Sequence, residues 1–92
     1  MNKEYREIVY RKAIERFGKL MQITVAIEEM SELQKELCKV QRGKMNIDGI
    51  IEEIADVEIV MEQMRMIFNS DREIDRVKAR KIERLECDMM EG

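Results

Sequence analysis

The chain has no histidine, proline or tryptophan, only two cysteines, and 4% aromatic residues. These shortages exclude a good deal. Without histidine, a zinc site would rest on Cys38 and Cys87, which are far apart in sequence, so zinc is disfavoured. Two cysteines are too few for a disulfide framework and are expected as reduced thiols. No Asn-Gly or Asp-Gly turn separates alternating apolar runs; Asp48-Gly49 falls at a helix start, so a β-sheet is not expected. No run approaches the roughly 20 apolar residues of a membrane span. The opening MNKEYREIVYRK has no apolar core of a signal peptide. Positive charge is not in excess: the net charge is −3, which argues against a nucleic-acid partner. A P-loop is excluded, because Gly43-Lys44 is followed by Met45 and no glycine stands five positions before Gly43. The expectation is a soluble cytoplasmic protein without nucleic-acid or membrane partners.

What is present points to long helices. Charged residues make up 40% of the 92, and they alternate with Ile, Leu and Met. The length suits one domain spanning residues 1–92. Apolar spacing and punctuation place four helices, at about 3–17, 19–41, 48–68 and 71–89. Gly18 separates the first two and Gly43 ends the second. Asn46 or Asp48 is positioned to cap the third. Ser70 and Glu73 form a capping-box pattern for the fourth. Expected inward stripes are Tyr10, Ala13, Ile14 and Phe17 in the first helix, and Ile23, Ala26, Ile27, Met30, Leu33 and Leu37 in the second. The third helix carries Ile50, Ile54, Val57, Met61, Met64 and Phe68 in a heptad-like seam, with Ala55, Ile59 and Met66 as a second patch. A helix apolar on nearly all sides sits centrally. A monomer this small can hardly cover both seams, so a homo-oligomer is expected.

The third helix breaks its own pattern. Glu53 and Asp56 lie about 60° apart on an ideal helix, inside the sector of Val60, Met64 and Ile67. On the second helix Glu29, Glu32 and Glu36 gather in a similar arc, which Gln22 extends backwards; Lys35 and Lys39 lie nearer solvent. Like charges three or four residues apart weaken a helix by a few tenths of a kcal/mol per pair. Partial burial of unpaired carboxylates costs more. Facing each other across a helix pair, the two clusters need either raised pKa values or a cation between them. Carboxylate oxygens at this spacing suit magnesium or manganese. An E-x-x-E alone is ordinarily solvated surface; the E-x-x-D within an apolar helix, joined to it by one loop, gives the pair its weight. On the fourth helix Lys78, Lys81 and Arg84 run beside Ile74, Val77 and Leu85. They either meet phosphate oxygens or lay their stems on the core with solvated ends.

AIEEMSELQKEL followed by IIEEIADVEIVMEQM resembles the MazG-type all-α nucleoside triphosphate pyrophosphohydrolases over roughly residues 15–70. The motif positions are Glu29 and Glu32, then Glu53 and Asp56, flanked by Leu33 and Val57. The resemblance implies an all-α, four-helix bundle-type MazG-like fold, active as a homodimer or homotetramer. It implies that these four acids bind magnesium (manganese as substitute), with Glu36 as a further ligand or outer partner. It also implies hydrolysis of a nucleoside triphosphate between the α and β phosphates, giving a monophosphate and pyrophosphate. In that reaction Glu32 or Glu29 would position the attacking water as general base. Gln22 would contact substrate, and Lys78, Lys81 and Arg84 would contact phosphate. The tryptophan- and histidine-bearing stretches of longer relatives are missing, so base recognition is not carried over. Tyr5, Tyr10, Phe17 and Phe68 are expected in the core. Two other readings stand beside this one: a non-enzymatic helical interaction or regulatory module, and a phosphoribosyl-ATP pyrophosphohydrolase.

Overall fold

A computed structural model describes residues 1–91. Four helices occur among them and no strand: α1 (Lys3–Phe17), α2 (Lys19–Gln41), α3 (Ile47–Ile67) and α4 (Asp71–Glu91). The chain is all-helical, as its composition requires. The helix ends follow local chemistry. Asn2 and Asn46 cap α1 and α3, their side-chain oxygens accepting from Tyr5 N–H at 2.8 Å and Gly49 N–H at 3.2 Å. Between α1 and α2 the chain turns at Gly18, with φ 92° and ψ 151°. That conformation is nearly closed to residues with a Cβ. The Gly18 N–H also closes α1 on Ile14 C=O at 2.8 Å. Ser70 precedes α4, but among the described residues its start is fastened by Arg65 rather than by a Ser70–Glu73 box. The Arg65 guanidinium reaches Asp71 at 2.7 Å and Asp75 at 2.9 Å. This fork holds the Asp71 carboxyl below its usual range and raises Arg65 further.

The core is a helical hairpin. Gln22 meets Gln63 near one end of the α2–α3 pair, and Glu29 meets Asp56 further along, so the helices run antiparallel. Helix α3 is central, packing on the other three, whereas α4 packs on α3 and meets α1 only at its start, where Lys3 approaches Asp71 at 4.0 Å. The buried set is Tyr10, Ala26, Ile50 and Val60, with Gln22 and Gln63. Several expected core residues lie outside it. Phe17, Phe68 and Tyr5 are 59%, 62% and 55% exposed, and of the aromatics only Tyr10 is buried. Ile27, Met30 and Leu37 are exposed on α2, as is Ile54 on α3. The reason is the direction of packing: α3 turns the row Glu53, Asp56, Val60, Gln63 and Ile67 toward α2, and the heptad-like seam lies to one side of it. Beyond Val77 every described residue of α4 is exposed, including Leu85, Lys81 and Arg84. No helix among the described residues is long and apolar enough to cross a membrane.

Candidate metal centre

Because α2 and α3 are antiparallel, a residue three positions on along one helix meets a residue three positions back along the other. This brings the E-x-x-E and E-x-x-D segments face to face. Glu29, Glu53 and Asp56 each offer a carboxylate oxygen, and all three oxygens lie within 4.8 Å of one another. Two oxygens bound to one magnesium stand at most about 4.2 Å apart, so small side-chain rotations suffice to bring the trio to bonding distance. Glu32 is exposed at the rim and outside this trio. Its charge still acts on both Glu53 and Glu29. Glu36 lies one turn beyond, its side chain only 15% exposed, and takes an ion pair from Lys39 at 3.2 Å. Lys39 therefore leans inward along α2 instead of standing free in solvent.

The electrostatics are those of an uncompensated cluster. Burial pushes the Glu29 carboxyl up, aided by the charges of Asp56 and Glu53 and by a hydrogen bond with Asp56 that favours the protonated form. Burial likewise raises Glu53, followed by the charges of Asp56 and Glu32. Among the described residues no Lys or Arg nitrogen lies within 4.0 Å of Glu29, Glu32, Glu53 or Asp56. The Oε2 atoms of Glu53 and Glu36 are buried without a hydrogen-bond donor. A buried carboxylate oxygen with neither cation nor donor is costly. The donor set is hard oxygen throughout; Cys38 and Cys87 are free, exposed and outside the group. These residues fit a hard divalent ion and do not fit zinc.

The other sequence-derived candidates lie elsewhere. Gln22 is 7% exposed and donates from Nε2 to Gln63 Oε1 at 2.6 Å, two turns from Glu29. Gln63 was not singled out in the sequence, although the 53, 56, 60, 63 spacing sets it on the acidic face. Lys78 lines a different feature, a cleft of about 690 Å³ between α1, α3 and α4. Within that cleft the Tyr10 hydroxyl donates to Glu62, which Arg6 Nε also approaches at 3.3 Å. Burial, then the hydrogen bond to Glu62 and its charge, push Tyr10 up to about 12. No spacing rule exposes this cluster, since Tyr10 and Glu62 meet only through the packing of α1 on α3. Lys81 and Arg84 stand on the uncovered part of α4, which does not touch α2. No protein-family model, curated protein or solved structure matches this chain.

Proposed function

We propose that the chain is a magnesium-dependent nucleoside triphosphate pyrophosphohydrolase of MazG-like fold. In this reading water attacks a phosphorus of the triphosphate and the bond between the α phosphate and the pyrophosphate leaving group breaks. The products are a nucleoside monophosphate and pyrophosphate. The observation that carries the proposal is the α2–α3 cluster: three carboxylates converge, a buried Glu53 oxygen has no donor, and no basic side chain compensates. Glu29, Glu53 and Asp56 hold the ion, with Glu32 completing the set from the rim. A bound divalent ion supplies the positive charge that lets a polyphosphate approach four acids, and lowers the pKa of an attacking water. In this reading Glu32 or Glu29 would hold that water and accept its proton. Glu36 orients the cluster from behind. Phosphate contacts from Lys78, Lys81 and Arg84, a substrate contact from Gln22, and a homodimer or homotetramer belong to the same proposal.

The test is a panel of canonical and damaged nucleotides, with phosphoribosyl-ATP, incubated with enzyme and magnesium while pyrophosphate is detected. Release that requires the metal and falls about 100-fold in Glu53→Gln is the expected result. Exclusive turnover of phosphoribosyl-ATP moves the assignment to that substrate. No pyrophosphate from any member at high enzyme concentration overturns the enzyme reading. It would favour the interaction module, which the exposed apolar residues of α2 support in their own right.

A further inference from the structure

We infer, resting on the metal reading of the acidic cluster, that Lys39 is the tethered counter-ion of that cluster and weakens divalent-ion binding by holding Glu36 for itself. Of the 17 Lys and Arg residues, only Arg6, Lys39 and Arg65 are half-buried. Arg6 is paired with Glu62, and Arg65 with Asp71 and Asp75, all of them beside the cleft between α1, α3 and α4. Lys39 alone serves the α2–α3 side. Its Nζ pairs with Glu36 Oε1 at 3.2 Å, and the Glu36 side chain is only 15% exposed. At about 100° per residue, Lys39 stands about 20° round from Glu32, on the acid-bearing face of α2.

A fully exposed lysine–glutamate pair three residues apart does little, because both ions stay hydrated. This pair differs in what surrounds its carboxylate. Glu36 Oε2 is buried with no donor, as is Glu53 Oε2 on the facing helix, and the Glu36 charge reaches Glu53. Among the described residues, the Lys39 ammonium is the one cation within 4.0 Å of any carboxylate in the set Glu29, Glu32, Glu36, Glu53 and Asp56. A divalent ion arriving at Glu29, Glu53 and Asp56 meets two obstacles in it. Glu36, while paired, does not turn its full charge toward that ion. The ammonium also repels the ion across a partly dry interface, where screening is weak. Both obstacles depend on Glu36, which keeps the ammonium in place. Lys35 provides the internal comparison. It has the same charge, sits one turn nearer the trio, and is exposed with no acidic oxygen within 4.0 Å among the described residues. A cation acting only through solvent acts from either position; one acting through Glu36 acts from position 39 alone.

The test is manganese affinity, read from the loss of the free-ion signal in electron paramagnetic resonance. Lys39→Gln is expected to bind manganese about fivefold or more tighter than the wild type, with helix content kept. Lys39→Arg, which keeps the charge and the pair, is expected to stay within about twofold of the wild type, and so is Lys35→Gln. In a Glu36→Gln background, adding Lys39→Gln is expected to change the affinity by less than about twofold. Three results overturn the inference while leaving the metal site standing. One is unchanged manganese affinity in Lys39→Gln, with or without a lower melting temperature. Another is equal tightening by Lys35→Gln, and the third is tightening that persists in the Glu36→Gln background. Manganese bound by neither the wild type nor Lys39→Gln overturns the metal reading itself, and the role of Lys39 with it.

Discussion

At position 53 a carboxylate keeps one oxygen buried with no donor while Asp56 and Glu32 add negative charge around it. Replacing it with an amide removes charge from that cluster, so Glu53→Gln is expected to melt higher than the wild type in chelator. It is also expected to gain less from magnesium than the wild type does. A melting temperature lowered in chelator would mean that Glu53 is held by favourable contacts, contrary to the account. The Gln22–Gln63 pair makes the opposite case, a buried polar contact that is satisfied. Gln22→Leu alone strands a buried amide and is expected to cost about 1–3 kcal/mol in urea unfolding. Adding Gln63→Leu restores most of the loss, because neither partner is then left unpaired. If Gln22 instead contacts substrate, the double variant raises KM while regaining stability. At Gly18 open space surrounds the missing Cβ, so the cost of Gly18→Ala is backbone strain alone, about 1–3 kcal/mol.

At the scale of the helices, the α2–α3 interface carries its own opposition to folding. Glu29 and Glu53 have raised pKa values in the folded state, so the folded chain binds more protons than the unfolded one. Stability from this source therefore rises as pH falls toward the ordinary glutamate range and declines as pH climbs through the raised values. The Arg65–Asp71 fork works in the other direction, because the Asp71 pKa is depressed. Its contribution is present above the ordinary aspartate range and is lost only in more acid solution, so between about pH 5 and 8 the acidic cluster sets the slope. The metal-free protein is expected to melt higher near pH 5.5 than near pH 7.5. Magnesium is expected to raise the melting temperature more at the higher pH. A flat profile that magnesium does not move speaks against a shared site.

The same scale shows what was legible in the sequence. Helix bounds were readable within a residue or two, because Asn46, Gly18 and Gly43 end or begin helices through their own backbone chemistry. The meeting of acids was legible in part: Glu29, Glu53 and Asp56 stand out as carboxylates at the edge of apolar stripes and converge, whereas Glu32, expected with them, is exposed outside the trio. Which stripe faces which neighbour was not legible, because apolar spacing repeats on several sides of α2 and α3. That is why Ile27, Met30 and Phe68 were placed in a core they do not occupy. The pairing of Tyr10 with Glu62 arises from packing between helices, and no spacing encodes it; the lean of Lys39 follows its pair with Glu36 three residues back, which the spacing did offer.

The whole molecule is a short hairpin core with a long appendage. Helix α4 is anchored by Ile74, Val77 and the Arg65 fork, and lies exposed from position 78 onward. Few buried contacts mean low local stability, so amide exchange along residues 78–91 is expected to be fast next to that of α3 near Val60 and Gln63. Slow exchange there would mean that α4 is covered in solution. Lys81 and Arg84 share this exposed segment, and α4 does not touch α2. If they meet phosphate, they do so from another copy or after α4 has moved.

The central claim is that carboxylates from two helices hold one divalent ion, and titration with manganese followed by electron paramagnetic resonance tests it without assuming any substrate. Wild-type protein should remove free manganese from the spectrum saturably, Glu53→Gln and Asp56→Asn should each weaken that binding at least 10-fold, and Glu62→Gln on the far side of α3 should leave it intact. Binding that is absent in the wild type, or equally strong in all four proteins, contradicts the account.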